Sequence, residues 1–497
     1  MSIDQHIIHL QNGILHSDTP RSKVDAMIQQ ATHQDAPLVL HFHGGLVKYE
    51  NGKETAERLF PIYSGAGGHP VFFVWESGLL EIIKNNLGEI SQEKIFKIIW
   101  KRVRKILLRK MIQIEDGRDL GDLPQPPDND FEIEIDAALN AQDVSGIMAQ
   151  ELDRSKPLTE LTSEEERMLE AELSFDFELM TEVEKISNGL RDPHDVEAQL
   201  NSRSATVKGS TVTLMDPAAL DQVVERTDSS SRGLISMAKM VKNVIKIAAK
   251  VIARFVRDRD HGLHATIVEE ILHALYIGNV GGLVWKTMKK DTADSFGSDP
   301  MAHGGTAFLD SLEKQTDAAN PPKIVLVGHS TGAVYISELL KKADAMLPPE
   351  YTFEVIFLAP ASTFRLTAET IRDFRHRISS FRMFTMTDEN EKKDRLVPVL
   401  YPHSLLYFVS GVVEAEVDMP IVGMQRFYDA QHFKDDKFPD VKEVRDYLNG
   451  ISHSKVWSVT EDAGHGLNSA ALKHGDFDND VITLESLNHM IKGIADG

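Results

Sequence analysis

The sequence predicts an α/β fold with a mostly parallel central sheet flanked by helices. Short apolar runs that suit buried strands alternate with longer segments that suit helices, which is the pattern of a parallel sheet. The strand-like runs are residues 38–42, 70–75, 323–328, 353–358, 381–386 and 455–460, and the helix-like segments are residues 51–62, 332–345, 367–378 and those from 483 onward. The alternation stops between residues 75 and 323, so we expect the two ends of the chain to form one sheet.

This interruption predicts a core from residues 1–79 and 300–497, with a large, mainly helical cap or lid inserted at residues 80–299. Within the insertion, residues 114–201 are rich in Asp, Glu and Pro, and parts of this stretch are expected to be mobile. Basic amphipathic segments lie on both sides of it, at residues 94–111 and 234–257. In the second segment, Lys and Arg recur every three or four residues opposite an apolar stripe.

Two interpretations of these basic segments stay open. They could form a lid that rests on an anionic membrane surface and opens on lipid. Alternatively, their apolar stripes pack on each other and their cations pair with the acidic stretch. The second is favoured because an apolar stripe is usually core.

Composition excludes several classes of protein. The net charge is -22, which disfavours nucleic acid as a partner because binding there depends on Lys and Arg. The chain has no Cys, so disulfides, zinc–thiolate sites and a cysteine nucleophile are excluded. Neither a signal peptide nor an apolar run of about 20 residues is found, so a cytoplasmic location is expected.

The strongest motif is a G-x-S-x-G sequence centred on Ser330. It reads Gly328-His329-Ser330-Thr331-Gly332 and lies between a strand-like run and a helix-like run. A serine there sits on a sharp, strained turn that projects its hydroxyl from the sheet, and flanking glycines prevent side-chain collisions. Amides at the start of the following helix point toward the place where negative charge develops.

A second motif, His43-Gly44-Gly45-Leu46, follows the strand at residues 38–42. Acyl transfer passes through an oxyanion that needs two amide donors. Thr331 is expected to supply one amide and this glycine loop the other, from Gly45 or Leu46, with Gly44 part of the same loop.

Together the two motifs resemble the α/β-hydrolase superfamily, in particular its serine esterase and lipase branch. The resemblance covers roughly residues 36–78 and 305–497 and leaves out the insertion. It implies the α/β-hydrolase fold and a catalytic triad in which an acid and then a histidine follow the serine along the chain.

The histidine is expected after the last strand, where two candidates stand. His474 is favoured because its segment leads directly into the final helix, and His465 is the alternative. The acid is expected after the strand at 381–386, and both Asp388 and Asp394 are candidates, with Glu391 between them. The length of this loop leaves the acid open.

The sequence thus predicts hydrolysis of carboxylic esters through an acyl-enzyme on Ser330, with lipid esters preferred if the insertion is a lid. No cofactor and no metal are expected. His261, His264, Glu270 and His273 have spacings that a metal could use, but they are interpreted as exposed helix residues. A catalytically silent scaffold or a membrane- or partner-binding effector with the same fold is the alternative.

Overall fold

The computed structural model describes most of the two ends of the chain and part of the middle. The described residues are 3–44, 49–75, 79–116, 120, 158–189, 214–216, 219, 224–225, 234–277, 282–398 and 400–496. Much of the acidic stretch that was predicted to be mobile lies outside these residues.

An eight-stranded sheet forms the centre of the molecule, with the strand order β10-β9-β8-β7-β3-β4-β1-β2. Neighbouring strands are parallel except for the antiparallel edge pair β1 and β2. A separate two-stranded pair is formed by β5 and β6. The strands are Ile7–Gln11 (β1), Ile14–Leu15 (β2), Leu38–Phe42 (β3), His69–Trp75 (β4), Val224–Glu225 (β5), Leu234–Ile235 (β6), Ile324–His329 (β7), Phe353–Leu358 (β8), Ile378–Met386 (β9) and Lys455–Ser458 (β10).

Helices cover the sheet, and most of the described residues between β4 and β7 are helical too. The α-helices are Arg21–Gln34 (α1), Tyr49–Gly65 (α2), Leu79–Gln92 (α3), Lys94–Asp116 (α4), Ser163–Ser174 (α5), Phe177–Gly189 (α6), Met237–Val256 (α7), Leu263–Leu275 (α8), Gly282–Asp294 (α9), Gly304–Gln315 (α10), Gly332–Met346 (α11), Phe364–Phe374 (α12), Asp388–Glu391 (α13), Leu405–Phe408 (α14), Pro439–Asn449 (α15) and Val481–Asp496 (α16). Short 3-10 turns include His474–Asp476, which precedes α16. Among the described residues, no helix is long and apolar enough to cross a bilayer.

The sheet is buried on both faces, which explains its nearly continuous apolar strands. Successive residues of β3 alternate between two core clusters, with Leu40 and Phe42 in one and Val39 in the other. The α/β class predicted from the sequence is confirmed. The strand predictions hold to within a few residues, but the hairpin β1–β2 was not predicted.

Parallel strands bring their carboxyl ends to one edge of the sheet, and this edge positions the candidate site. β3 and β7 are direct neighbours, with Phe42 opposite Gly328. The residues that follow them, His43 and Ser330, are therefore adjacent although they lie far apart in the sequence.

The described residues between β4 and β7 add no strand to the main sheet. The helix α4 packs against α6, α7 and α8. Its cations pair with acidic residues of α5, of α6 and of the turn between them. Arg109 lies 2.7 Å from Glu172 and Lys110 lies 2.6 Å from Glu165, while Arg102 lies 3.2 Å from Glu178 and also contacts Asp176. The apolar stripe of α7 is buried in the same cluster. Within the described residues, these helices pack through their apolar stripes and pair their cations with acidic residues. This is the arrangement of the second interpretation, in which the segments form a packed cap.

One expectation about α8 and the turn before it is wrong. His261 and Glu270 are buried rather than exposed, with 1% and 2% of their surfaces accessible. His261 lies between the carboxylates of Glu269 (2.7 Å) and Asp418 (3.0 Å), and Glu270 pairs with Arg254 (3.2 Å). His264 and His273 contact the backbone carbonyls of Leu400 and Gly411. In the structure these four side chains contact charged side chains and backbone carbonyls.

Candidate active site

Ser330 occupies the turn between β7 and α11 in a left-handed backbone conformation, with φ of 55°. A serine in this region is sterically disfavoured and persists only when its surroundings impose it. Two hydrogen bonds hold the Ser330 backbone in this conformation. The Ser330 amide donates to the Leu358 carbonyl (2.8 Å), and the Ala361 amide donates to the Ser330 carbonyl (2.9 Å). The loop after β8 thus holds the turn in place.

The two glycines of the motif are required by close packing. A Cβ atom on Gly332 would overlap the carbonyl oxygen of Phe42 at the end of β3. A Cβ on Gly328 would lie 2.7 Å from Ile336 Cδ1 and 2.8 Å from the Gly332 carbonyl carbon. Such distances are well inside van der Waals contact, so only glycine fits the turn at both positions.

Gly44, in the segment after β3, lies directly against Ser330. A Cβ on Gly44 would be 3.3 Å from Ser330 Cβ and 3.9 Å from Ser330 Oγ. Gly45 and Leu46, the predicted oxyanion donors of this loop, lie outside the described residues. Thr331, the other predicted donor, is buried at the N-terminal cap of α11. The helix therefore begins at the serine and directs its first amides there.

His43 fixes the start of the glycine loop. Its Nδ1 donates to the Gly44 carbonyl (2.6 Å), and its Nε2 accepts from the Trp75 amide at the end of β4 (3.1 Å). One nitrogen donates and the other accepts, so the ring is a neutral imidazole. Burial lowers the pKa of His43 to about 4, which agrees with that state.

His474 lies buried beside the residue that precedes Ser330. Its ring centroid is 5.4 Å from that of His329, and its backbone carbonyl accepts a hydrogen bond from His329 Nε2 (2.9 Å). Neither ring nitrogen has a hydrogen-bond partner among the described residues. Burial lowers the pKa of His474 to about 3, so the imidazole is neutral near pH 7. The neutral ring therefore has both nitrogens unengaged by the described residues.

His329 and Asp478 form a buried pair beneath the site. His329 Nδ1 lies 3.4 Å from Asp478 Oδ2, while Nε2 donates to the His474 carbonyl. Burial opposes the charged ring, but Asp478 outweighs it and raises the pKa of His329. Burial also opposes the Asp478 carboxylate, yet His329 holds its pKa at about 2. The pair ties the serine turn to the segment that carries His474.

Of the two predicted acids, Asp394 lies at His474. Its Oδ2 accepts a hydrogen bond from the His474 backbone amide (2.8 Å), and burial raises the pKa of the Asp394 carboxyl. Asp388 instead accepts from Tyr407 (2.6 Å) and Lys392 (2.7 Å).

The other two candidates from the sequence lie in different surroundings. Glu391 is buried against the Ser404 hydroxyl, and burial raises its pKa well above the usual range. His465 is exposed and stacks on His489, with ring centroids 5.0 Å apart.

A cavity of about 970 Å³ lies near the carboxyl ends of β9 and β10, and neither Ser330 nor His474 lines it. Its walls include Asp388, His261 and His403. The nitrogens of His403 face the carbonyls of His261 (2.9 Å) and Lys392 (3.2 Å), and the other two side chains are paired as described above. All three of these side chains are therefore engaged with neighbouring groups.

Comparisons of the chain with protein-family models, with curated proteins and with solved structures found no match. A function for this protein is therefore inferred from its own residues.

Sequence reasoning missed the pairing of His329 with Asp478. His329 occupies the variable position before the serine, and Asp478 comes four residues after His474 in the sequence. Each residue could have been noticed as a neighbour of a predicted catalytic residue. Their contact depends on how the loop after β10 folds back over β7, which no spacing in the sequence encodes.

Proposed function

We propose that this protein is a serine hydrolase of the α/β-hydrolase type, which cleaves carboxylic esters through an acyl-enzyme on Ser330. The observation that carries the proposal is the left-handed backbone of Ser330 at a strand–turn–helix junction, with glycine required on both sides. In that superfamily the nucleophile occupies such a turn. A strained backbone at the carboxyl end of a strand destabilises the fold, and such strain is typically kept at functional sites.

The order and location of the other residues support the same proposal. Ser330, Asp394 and His474 follow one another in the chain order serine, acid, histidine. The glycine loop that touches Ser330 follows β3, as does the loop that completes the oxyanion hole in these enzymes. We propose that His474 is the general base and that Asp394, which already holds the His474 backbone, orients it.

The reaction proceeds in two acyl transfers. Ser330 Oγ bonds to the ester carbonyl carbon while His474 takes the hydroxyl proton, and amides of Thr331 and the glycine loop stabilise the oxyanion. Collapse breaks the carbon–oxygen bond of the ester, and the alcohol leaves with the proton from His474. Water then adds to the acyl carbon and gives a proton to His474. Collapse breaks the bond between the acyl carbon and Ser330 Oγ, which takes the proton back from His474, and the carboxylic acid is released.

A fluorophosphonate probe tests the proposal directly, because it forms a stable bond with an activated serine. The wild type is expected to label in stoichiometric amount, and Ser330→Ala is expected not to label. Ser337→Ala is a matched control, since Ser337 is a buried serine of α11 whose hydroxyl bonds only the Ala333 carbonyl in the described structure. Failure of the folded wild type to label, or equal labelling of Ser330→Ala, would refute the assignment of Ser330.

Turnover of p-nitrophenyl acetate tests the partner residues. Loss of a triad histidine lowers kcat by roughly 10⁴-fold or more. His474→Ala should show this loss while His465→Ala keeps most of the activity. Asp394→Asn should lower kcat far more than Asp388→Asn. If either order is reversed, the corresponding residue has been assigned wrongly.

One observation favours the alternative of a catalytically silent scaffold. In the described structure, Asp394 binds the backbone amide of His474 and neither ring nitrogen contacts a carboxylate. A triad acid instead binds the histidine ring. A folded wild type that neither labels nor turns over esters would favour the scaffold.

A further inference from the structure

The edge hairpin of the sheet carries two histidines and an aspartate whose ligating atoms converge. His9 Nδ1 lies 2.9 Å from one oxygen of Asp18, and His16 Nδ1 lies 3.1 Å from the other. One ligating atom from each of the three residues lies within 4.8 Å of the others. His9 is buried, whereas Asp18 is about half exposed, so the group opens to solvent on one side.

The hairpin itself dictates this convergence. Asn12 and Gly13, both with positive φ, form the two-residue turn between β1 and β2. The register pairs Gln11 with Ile14 and Leu10 with Leu15, which brings His9 opposite His16. The His16 amide donates to the His9 carbonyl (2.9 Å), and the ring centroids lie 4.2 Å apart. Both rings therefore project from the same face of the hairpin.

Asp18 is held against this pair by the chain that follows. The Thr19 amide donates to the His16 carbonyl (2.9 Å), which closes a turn after β2. The Thr19 hydroxyl accepts from the His9 amide (3.2 Å) and donates to Asp18 Oδ1 (3.1 Å). Backbone and side-chain hydrogen bonds thus place all three candidate ligands before any ion binds.

We propose that His9, His16 and Asp18 form a binding site for a divalent transition metal ion, with Zn²⁺ the best suited. Two imidazoles and one carboxylate are ligands that Zn²⁺ accepts at about 2.0–2.2 Å, and ligands around a tetrahedral ion lie roughly 3.3 Å apart. The nitrogen–oxygen distances of 2.9 and 3.1 Å need only a small expansion to admit the ion. Three protein ligands leave a fourth position for water or an exogenous ligand.

The metal site is independent of the proposed hydrolase chemistry. β4 and β3 separate the strand that carries His9 from β7, which leads to Ser330. A bound ion would link β1 to the segment after β2 and fasten the edge of the sheet. Metal binding should therefore persist in Ser330→Ala, and the failure of one proposal leaves the other intact.

Isothermal titration of the chelator-treated full-length protein with Zn²⁺ tests the site. The wild type is expected to bind one ion per chain with a Kd in the micromolar range or below. His16→Ala and Asp18→Asn, which change accessible side chains, should each weaken binding at least tenfold. His432→Ala is the matched control, because His432 lies 3.2 Å from Asp429 in an exposed pair with a single histidine.

Co²⁺ provides a second readout, because visible d–d absorption reports its coordination. The wild type and His432→Ala should give the spectrum of a site with nitrogen and oxygen ligands, and both hairpin variants should lose it. Circular dichroism verifies that the variants are folded. Absence of a micromolar site in the wild type, or unchanged affinity in folded His16→Ala and Asp18→Asn, would overturn the proposal.

Discussion

Ser330 combines a strained backbone with the proposed nucleophile in a single residue. A left-handed conformation costs an ordinary L-residue roughly 1–2 kcal/mol, and glycine adopts it without that cost. The hydrogen bonds to Leu358 and Ala361 enforce the conformation whatever the side chain is. The strain therefore comes from the backbone conformation at position 330 and not from the serine hydroxyl.

This strain predicts an inverted order of stability at position 330. Ser330→Gly should unfold at higher urea than Ser330→Ala, with a free energy of unfolding about 1 kcal/mol larger, because only glycine relieves the positive φ. At ordinary positions the glycine variant is the less stable one. Urea titrations of the two variants measure the difference, and an alanine variant as stable as the glycine variant would show that the backbone there is unstrained.

His41, buried on β3, should make stability depend on pH. Burial lowers its pKa from 6.5 to about 3, so between these values the unfolded chain binds a proton that the folded chain does not. The free energy of unfolding then falls as the pH is lowered. His41→Gln, which keeps a partner for the Tyr63 hydroxyl, should reduce that slope by about 1.4 kcal/mol per pH unit between about pH 4 and 6.

Urea unfolding of the wild type and His41→Gln at several pH values measures this slope. His33→Gln, which changes an exposed histidine on α1, serves as the control and should leave the slope unchanged. An equal slope in the wild type and His41→Gln would mean that His41 is protonated in the folded protein.

At the scale of single residues, the turn that carries Ser330 was easier to predict from the sequence than the acid that accompanies it. Gly328, Ser330 and Gly332 lie close together in the chain, and the requirement for a tight turn can be read from them directly. The choice between Asp388 and Asp394 could not be made in this way. Both follow β9, and only the folded loop directs one toward His474 and the other toward Tyr407.

At the scale of elements, the buried ion pair between α4 and α5 should be a strong and specific link. Lys110 and Glu165 are 2.6 Å apart, with 4% and 6% of their side chains exposed. Lys110→Met leaves a buried carboxylate without its cation, which should cost about 3–5 kcal/mol. The double variant Lys110→Met/Glu165→Gln should recover most of this loss, because Gln keeps an oxygen for the Thr162 amide.

Urea unfolding of the single and double variants measures the coupling between the two residues. Arg167→Met is the control, since Arg167 pairs with Glu164 at an exposed site and should change stability by less than about 0.5 kcal/mol. A loss of similar size in Lys110→Met and Arg167→Met would mean that the ion pair between α4 and α5 is not buried as described.

Strands buried on both faces were predictable because most of their residues are apolar, even where one polar residue such as His41 interrupts the run. β3, β4, β7 and β8 all have this character. β1 escaped prediction because only three of its five residues, Ile7, Ile8 and Leu10, are apolar. Its membership in the sheet depends on pairing with β4, which is a tertiary contact.

At the scale of the whole molecule, the packing of α7 argues against a lid that opens on lipid. Val241, Val244 and Val251 of its apolar stripe have no accessible surface. Exposing them would require pulling the helix from the core at a cost of roughly 1.5–3 kcal/mol per side chain. We expect no co-sedimentation with anionic vesicles at about 150 mM salt, where charge attraction is screened beyond about 8 Å.

The triple variant Lys242→Glu/Lys246→Glu/Lys250→Glu provides the comparison. It should behave like the wild type in the same sedimentation assay. Binding by the wild type that is lost in the triple variant would restore the membrane-facing interpretation of this helix.

The adjacency of β3 and β7 also has a consequence for biosynthesis. β3 leaves the ribosome long before its neighbour on one side, which is encoded almost three hundred residues later, with Leu38 opposite Ile324. At typical elongation rates the nascent chain waits roughly half a minute before β7 emerges. Throughout that interval an apolar strand edge has no partner, so newly made chains are most exposed to aggregation before synthesis reaches the serine turn.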